Sequence, residues 1–308
     1  MIMLTGATGF VGGAVLAQLM QQPDFVIRTF SRRATDGLSV NTTPNLSHVI
    51  GNIDGATDYS AAINGVDVVI HCAARAHIMR DESTEPLVEY RRVNLEGTLN
   101  LAQQAADAGV KRFVFVSSIG VNGASTIDNP FTSHAKEQPH NAYAQSKYDA
   151  ELGLKKIGEE TGLEVVIVRP TLVYGPNAPG NFGMLTKLVK KLPILPFGLA
   201  NNRRDFIAVQ NLADLLITCA THPNAAGHTF LASESETVST KQFTNAIAKG
   251  LGKKVIQLPI PVSLMRLAGR LVGKSAMIEQ LFGNLEVDSS NIQQVLGKVR
   301  ISGEILLG

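Results

Sequence analysis

Tyr143 and Lys147 stand four residues apart in NAYAQSK, at the head of the helical pattern NAYAQSKYDAELGLKKI. Four residues is about one helical turn, so a phenol and an ammonium share a face. Upstream, the apolar run FVFV ends in Ser117 and Ser118, the pattern of a buried strand with hydroxyls at its tip. Hydroxyl, phenol and amine brought together make a proton-transfer unit. In water a tyrosine keeps its proton to about pH 10. A nearby ammonium stabilises the phenolate, which predicts a lowered tyrosine pKa and an acid or base for neutral pH. Surface helices also carry Tyr and Lys at this spacing, so the pair gains meaning only beside a cofactor site.

The N-terminus supplies one. Gly6, Gly9 and Gly12 follow the apolar strand IMLT at spacing G-x-x-G-x-x-G and run straight into a helical pattern. Glycines permit the tight turn and a close backbone approach to pyrophosphate, and a helix N-terminus favours an anion. Strand, glycine turn and helix in that order give the triplet its context. In the next apolar segment, residues 25–33, an acid at the strand end would bond an unphosphorylated adenosine ribose. Here Ser31, Arg32 and Arg33 stand there instead. Two guanidiniums and a hydroxyl suit a 2′-phosphate, so NADP is expected over NAD.

The elements that must hold these groups alternate along the chain. HVIGNI ends a third strand at Asn52 and Ile53, where an adenine would lie between a polar and an apolar side chain. DVVIHCAA is a fourth, running into Ala73 and Ala74, small enough for a flat cofactor to approach the backbone. His71 and His77 lack metal-ligand company in sequence and read as ordinary histidines. EYRRVNLEGTLNLAQQAADAGV is expected to be one long amphipathic helix, with Asn94 polar on its inner face beside the stripe Leu95, Leu99 and Ala102. TGLEVVIVRPTLVYGP reads as a further buried strand ending at Pro170 and Gly175. Six alternations predict an α/β fold, a doubly wound parallel sheet of the Rossmann type. The dinucleotide-binding domain is expected over 1–175, with 205–232 returning to it. A smaller, mixed C-terminal substrate-binding domain is expected over 176–204 and 233–308, where prolines and glycines break the pattern. Its segment SLMRLAGRLVG is basic and amphipathic; packing over a ligand cleft is expected rather than a membrane surface.

The chain has 308 residues, 44% hydrophobic and 18% charged, with net charge +2 and no long basic block, which argues against nucleic acid as the main partner. Cys72 and Cys219 have no metal-ligand spacing and read as free thiols in a reducing compartment. The first residues already form a strand and turn, and no apolar run is long enough to span a bilayer. A cytosolic protein with no membrane partner is expected.

Taken together, GATGFVG, HCAA, VNLEGT, the strand ending at Ser118, YAQSK, VRPTLVYGP and RRDFIAVQNLAD resemble, in their order, the extended short-chain dehydrogenase/reductase family, specifically its nucleotide-sugar epimerases and reductases. The resemblance covers residues 2 to about 295. It implies that Gly6, Gly9, Phe10, Val11 and Gly12 hold the pyrophosphate, and Asn52 and Ile53 the adenine. It sets Ala73, Ala74, Asn94 and Ser117 along the cofactor, with Pro170 and Val173 beside the nicotinamide. Ser118, Tyr143 and Lys147 match the catalytic positions. Asn181 and Phe182 fall where the family holds the substrate's nucleotide, and Arg204 where an arginine grips its diphosphate; Arg266 and Arg270 are candidates for a second. A homodimer is implied, through helices starting near Leu95 and Tyr143.

Family dehydratases carry an Asp-Glu pair after the strand-end hydroxyl, whereas Ile119 and Gly120 follow Ser118, so dehydration is disfavoured. The expectation is hydride transfer at the 4-position of a UDP-hexose or UDP-N-acetylhexosamine derivative, in surface-polysaccharide sugar synthesis. Arg32 and Arg33 tilt it towards a 4-ketoreductase using NADPH. The alternative is a UDP-glucose or UDP-N-acetylglucosamine 4-epimerase with retained NAD. A reductase of apolar ketones and a non-catalytic sensor are further readings, opposed respectively by Arg204 and by the presence of both Tyr143 and Lys147.

Overall fold

The computed structural model describes residues 1–33, 45–76, 84–234 and 236–297. In the N-terminal half, strands β1 (Ile2–Thr5), β2 (Ile27–Ser31), β3 (Leu46–Ile50) and β4 (Val68–His71) are joined through helices α1 (Phe10–Leu19) and α2 (Ser60–Ile63). Then come α3 (Pro86–Arg91), a π-helical turn over Arg92–Gly97, α4 (Thr98–Asp107), β5 (Arg112–Val116), α5 (Ala142–Thr161) and β6 (Glu164–Pro170). The remainder comprises β7 (Leu172–Tyr174), α6 (Gly180–Lys191), β8 (Ile194–Leu195), β9 (Phe206–Ala208), α7 (Val209–Thr221) and β10 (Thr229–Ala232). It closes with α8 (Thr240–Gly250), β11 (Ile256–Gln257), α9 (Val262–Leu271), α10 (Ser275–Phe282) and α11 (Ser290–Leu296).

Seven strands form one sheet in the order β3-β2-β1-β4-β5-β6-β10, every neighbouring pair parallel. Parallel strands need crossover helices, which cover both faces and demand apolar side chains on each. The run Ile2–Thr5 is accordingly buried at all four positions. One core lies under α1 and α7 and includes Val15, Leu16, Leu212 and Leu216. The other lies under α2, α4 and α5 and includes Tyr59, Leu101, Ala105 and Leu154. Strand order reverses between β1 and β4, so a crevice opens beyond their carboxyl ends, where doubly wound sheets bind ligands.

Two expected elements are divided and a third is shorter than expected. The helix expected over EYRRVNLEGTLNLAQQAADAGV is interrupted by the π-helical turn, with Asn94 and Gly97 buried inside it. The strand expected through VRPTLVYGP breaks at Thr171, and β7 pairs with β9 in a separate two-stranded sheet. The third strand ends at Ile50, so Asn52 and Ile53 lie in the loop beyond it. Around β7, β9, α6 and α8 a third core gathers Tyr174, Phe182, Phe206 and Phe243. The amphipathic segment after residue 262 packs Val262 and Met265 onto that core.

Candidate functional site

The glycine turn shows why no other residue fits. Gly6 has φ +73° and a Cβ on it would stand 2.7 Å from the Ala73 backbone N. A Cβ on Gly12, in the first turn of α1, would fall 2.2 Å from the Gly6 carbonyl oxygen. Glycine at both positions lets α1 sit down on the turn. Gly9 caps α1 without a side-chain hydrogen bond, leaving the opening N–H groups of Phe10, Val11 and Gly12 without intrahelical acceptors. These donors and the helix dipole suit a pyrophosphate, and the residues present fit that group.

Around this turn, small and polar residues set the walls. Ala73 N donates to Thr5 Oγ1 at 3.2 Å, and Thr5 Oγ1 lies 2.7 Å from His71 Nδ1. His71 Nε2 lies 3.0 Å from Thr98 Oγ1. Burial first, then the nearby Lys147 charge, push the imidazole down to about 3. His71 is thus a neutral ring clamping β4 between β1 and α4; His77 lies outside the described residues. Ala74 is exposed beside it, and Ile53 packs against Gly97, whose own Cβ would lie 2.7 Å from Ile53 Cγ2. Asn52 is exposed, and its carbonyl accepts from the Tyr59 hydroxyl at 3.3 Å. Ser31 donates to the Arg33 carbonyl at 2.7 Å, which folds the strand end back and leaves both Arg32 and Arg33 exposed. Among the described residues neither guanidinium is ion-paired.

Asn94 ties the segment after β4 to α5. Its Oδ1 accepts from Arg75 N at 2.8 Å, and its Nδ2 donates to the Arg75 carbonyl and to Ser146 Oγ at 3.1 and 3.0 Å. Ser146 in turn donates to the Tyr143 carbonyl at 2.8 Å. The π-helical turn is what aims this fully buried amide both ways.

Helix α5 begins at a defined point because Asn141 caps it, its side chain accepting from Ala144 N at 2.8 Å. A cap of this kind contributes about 1 kcal/mol. Tyr143 therefore sits in the first turn, half-buried, its ring edge-on to Tyr90 at 5.9 Å between centroids. One turn on, Lys147 is 1% exposed, donates to the Val116 carbonyl at 2.8 Å and lies 4.3 Å from the centre of the Phe115 ring. Val116 closes β5, two residues before Ser118. Ser118 Oγ accepts from Gly120 N at 3.1 Å, and Gly120 lies against Ala144, next to Tyr143 on α5. The turn after β5 thus packs on α5 through Gly120 and Ala144, and the end of β5 is bonded to α5 through Val116 and Lys147.

The expected lowering of the Tyr143 pKa is not what these groups produce. Burial, and then Tyr90, push the phenol up to about 12. Lys147 bonds the Val116 carbonyl instead, and burial pulls its own ammonium down to about 7. Burial thus favours the neutral form of both groups.

Two further expectations are corrected by packing. Ser117 is 2% exposed and its hydroxyl donates to Glu151 Oε1 at 2.5 Å, so that side chain serves the interior rather than a cofactor. Phe182 is buried among Tyr174 and Phe243, with ring centroids 5.9 and 5.7 Å away, so its side chain serves the third core. Asn181 falls in α6; its side chain lies outside the described residues. Pro170 ends β6 buried, and Val173 lies half-buried on β7 against the first core.

Arg204 is held between β9 and the tail by backbone pairing with Val238 and Leu285, and its Nη1 donates to the Gly283 carbonyl at 2.9 Å. No carboxylate among the described residues pairs with it, and burial pulls it down to about 10. A half-buried cation bonded only to a carbonyl has donors left for an anion. Arg266, by contrast, is engaged by Glu279 at 2.9 Å, and Arg270 is exposed.

Sequence reasoning missed the network behind this site. Arg169 on β6 reaches Glu151 on α5, Asn122 and Glu137. Its only sequence signal was a charged residue inside an apolar strand.

Residues 2–232 match the model of the NAD dependent epimerase/dehydratase family. A UDP-glucose 4-epimerase of Vibrio cholerae is 43% identical over 298 residues, 96% of this chain and 89% of that protein. The solved structure of a UDP-glucuronic acid 4-epimerase from Bacillus cereus with NAD superposes with a TM-score of 0.76 at 19% identity, over 98% of this chain and 94% of that one. A UDP-glucose 4-epimerase from Thermotoga maritima with UDP-glucose gives 0.74 at 19% identity, over 97% and 93%.

Proposed function

Since the chain belongs to the NAD dependent epimerase/dehydratase family, and so to the extended short-chain dehydrogenase/reductases, we propose that it inverts the 4-hydroxyl of a UDP-hexose or UDP-N-acetylhexosamine. The observation that supports the reading is the bond from Lys147 of α5 to Val116, two residues before Ser118, in a chain 43% identical to a UDP-glucose 4-epimerase over nearly its whole length. Ser118 is followed by the buried apolar Ile119 and by Gly120. That position offers no carboxylate pair for eliminating water, which separates this chain from the dehydratases.

When bound, the dinucleotide supplies a reversible hydride acceptor and, oxidised, a positive ring that favours phenolate. The chain's own residues handle the proton. Tyr143 takes the 4-hydroxyl proton as the carbonyl forms and returns it when the alcohol is restored. Ser118 aligns the sugar hydroxyl. Lys147, fixed between the Val116 carbonyl and the Phe115 ring, holds its nitrogen where a ribose hydroxyl would be bonded. Arg204 grips the diphosphate while the sugar ring turns over. Hydride and proton are both returned, so nothing is consumed.

A second reading, a 4-ketoreductase, is favoured by one observation: Arg32 and Arg33 at the end of β2, exposed and not ion-paired among the described residues, suited to a 2′-phosphate. Proton NMR of UDP-glucose and UDP-N-acetylglucosamine with freshly purified protein separates the two. Interconversion of 4-epimers without added cofactor is expected. Stoichiometric NADPH loss with a UDP-4-keto sugar, and no interconversion, would establish the reductase.

A further inference from the structure

Charge is unevenly distributed over this nearly neutral chain. Residues 180–204 carry five Lys or Arg, residues 240–278 carry seven, and neither segment contains Asp or Glu. Two of these cations are ion-paired from outside the segments, Arg203 with Glu286 and Arg266 with Glu279. The two segments meet in the β8–β11 pair, where Ile194 and Ile256 are register partners in parallel strands. Register partners point to the same side of a sheet. Both are exposed, at 45% and 62%, while Leu195, on the other side, is buried. Two residues along on that outer side, Leu192 and Leu258 are exposed as well. Basic side chains border them: Lys190 and Lys191 end α6, and Lys253 Nζ donates to the Lys190 carbonyl at 2.5 Å.

Four residues after Leu258, α9 begins and repeats the arrangement. Its inner side, Val262 and Met265, is packed on the third core, and Gly269 faces Ile278 of α10. Its outer stripe, Leu264, Leu267 and Leu271 at helical spacing, is 56%, 53% and 80% exposed, with Arg270 and Lys274 alongside. The helix thus has an apolar stripe beyond the one it needs for folding. Aliphatic side chains ringed by cations are what an anionic lipid interface binds: the first enter the acyl boundary and the second meet the headgroups. A second copy of the same face would bring cation against cation, and the face has no exposed aromatic rings for stacking nucleic acid bases.

We propose that the outer side of β8–β11 and the outer stripe of α9 dock on an anionic phospholipid bilayer, holding the protein at a membrane surface. No helix among the described residues is long and apolar enough to cross a membrane, so the attachment is peripheral and reversible. The proposal is independent of the reaction assigned above, because vesicle binding is read without turnover.

The full chain is tested by flotation with vesicles of phosphatidylcholine containing about 30% phosphatidylglycerol, against pure phosphatidylcholine. Wild type is expected to float with the anionic vesicles only, and to be released by about 0.5 M NaCl, where surface charges are screened. Lys253→Glu with Lys254→Glu, and separately Leu267→Ser with Leu271→Ser, should each lower the bound fraction about tenfold. Turnover of a soluble UDP-sugar should stay at wild type in both. The chain has no tryptophan, so Leu271→Trp gives a single reporter, whose emission should shift to the blue with anionic vesicles. Wild type remaining unbound overturns the proposal, as does equal flotation of both double variants. Self-association abolished by the same substitutions, with no vesicle binding, would assign the face to a second copy instead.

Discussion

The Arg169 guanidinium and the Glu151 carboxylate form an ion pair with both side chains out of water, Nη2 to Oε2 at 2.5 Å and Nε to Oε1 at 3.0 Å. It joins β6 to the helix bearing Tyr143 and Lys147, and Ser117 donates to the same carboxylate. Burying charges is costly, but removing Glu151 is worse, because the buried guanidinium then keeps only the partly exposed Glu137 as a counter-charge. Glu151→Gln should therefore cost about 3–5 kcal/mol, read as a lowered midpoint in urea unfolding. A loss well under 1 kcal/mol would show the pair to be dispensable.

Lys147 makes stability depend on pH in a definite direction. Its ammonium is at 10.5 when unperturbed and about 7 when folded. Between these values the unfolded chain binds the proton that the folded chain releases, so this contribution to stability rises with pH from about 7 to about 10.5 and is flat below about 7, where both states hold the proton. Above about pH 9 the thiols of Cys72 and Cys219, both pushed up to about 12 by burial, act in the opposite sense. The clean window is about pH 7–9. Melting curves of wild type should rise there relative to Lys147→Met; parallel curves would contradict the assignment.

Tyr143→Phe keeps the ring against Tyr90 and removes only the hydroxyl. Turnover should fall about 100- to 10,000-fold, the usual contribution of a positioned acid or base. Dinucleotide binding, followed by fluorescence titration of the nicotinamide, should be unchanged. Undiminished turnover would take Tyr143 out of the proton-transfer role.

Gly12→Ala puts a methyl 2.2 Å from the Gly6 carbonyl oxygen, so α1 must lift from the turn. A destabilisation of about 1–3 kcal/mol is expected, with loss of the melting-temperature rise that a dinucleotide gives wild type. A full ligand-induced rise in the variant would disprove the role of this turn. By contrast a Cβ on Gly65 would meet nothing within 4 Å, although its positive φ still strains a side chain there.

The sheet and the glycine turn were legible because each is written locally. Buried parallel strands need continuous apolar runs, and Gly6 and Gly12 have no substitute where they stand. The Tyr143–Lys147 face was legible for the same reason, one turn of one helix. What could not be read depends on partners distant in sequence. Lys147 looked like the cause of an acidic tyrosine, but its nitrogen is engaged by Val116, and burial dominates the phenol. Phe182 belongs to an aromatic cluster whose other members lie as far away as Phe243. Nothing in VNLEGT shows that Asn94 stands in a widened turn.

That widened turn has a consequence for how the two halves of the domain are phased. Ahead of it, Tyr90 braces the Tyr143 ring; after it, Leu101, Ala102 and Ala105 fill the space beneath the sheet. Excising one residue from Arg92–Gly97 would restore regular winding yet swing everything downstream by about 100°. A uniform helix could satisfy either obligation and would forfeit the other. The irregularity ties the packing of the hydrophobic interior to the position of the Tyr143 ring.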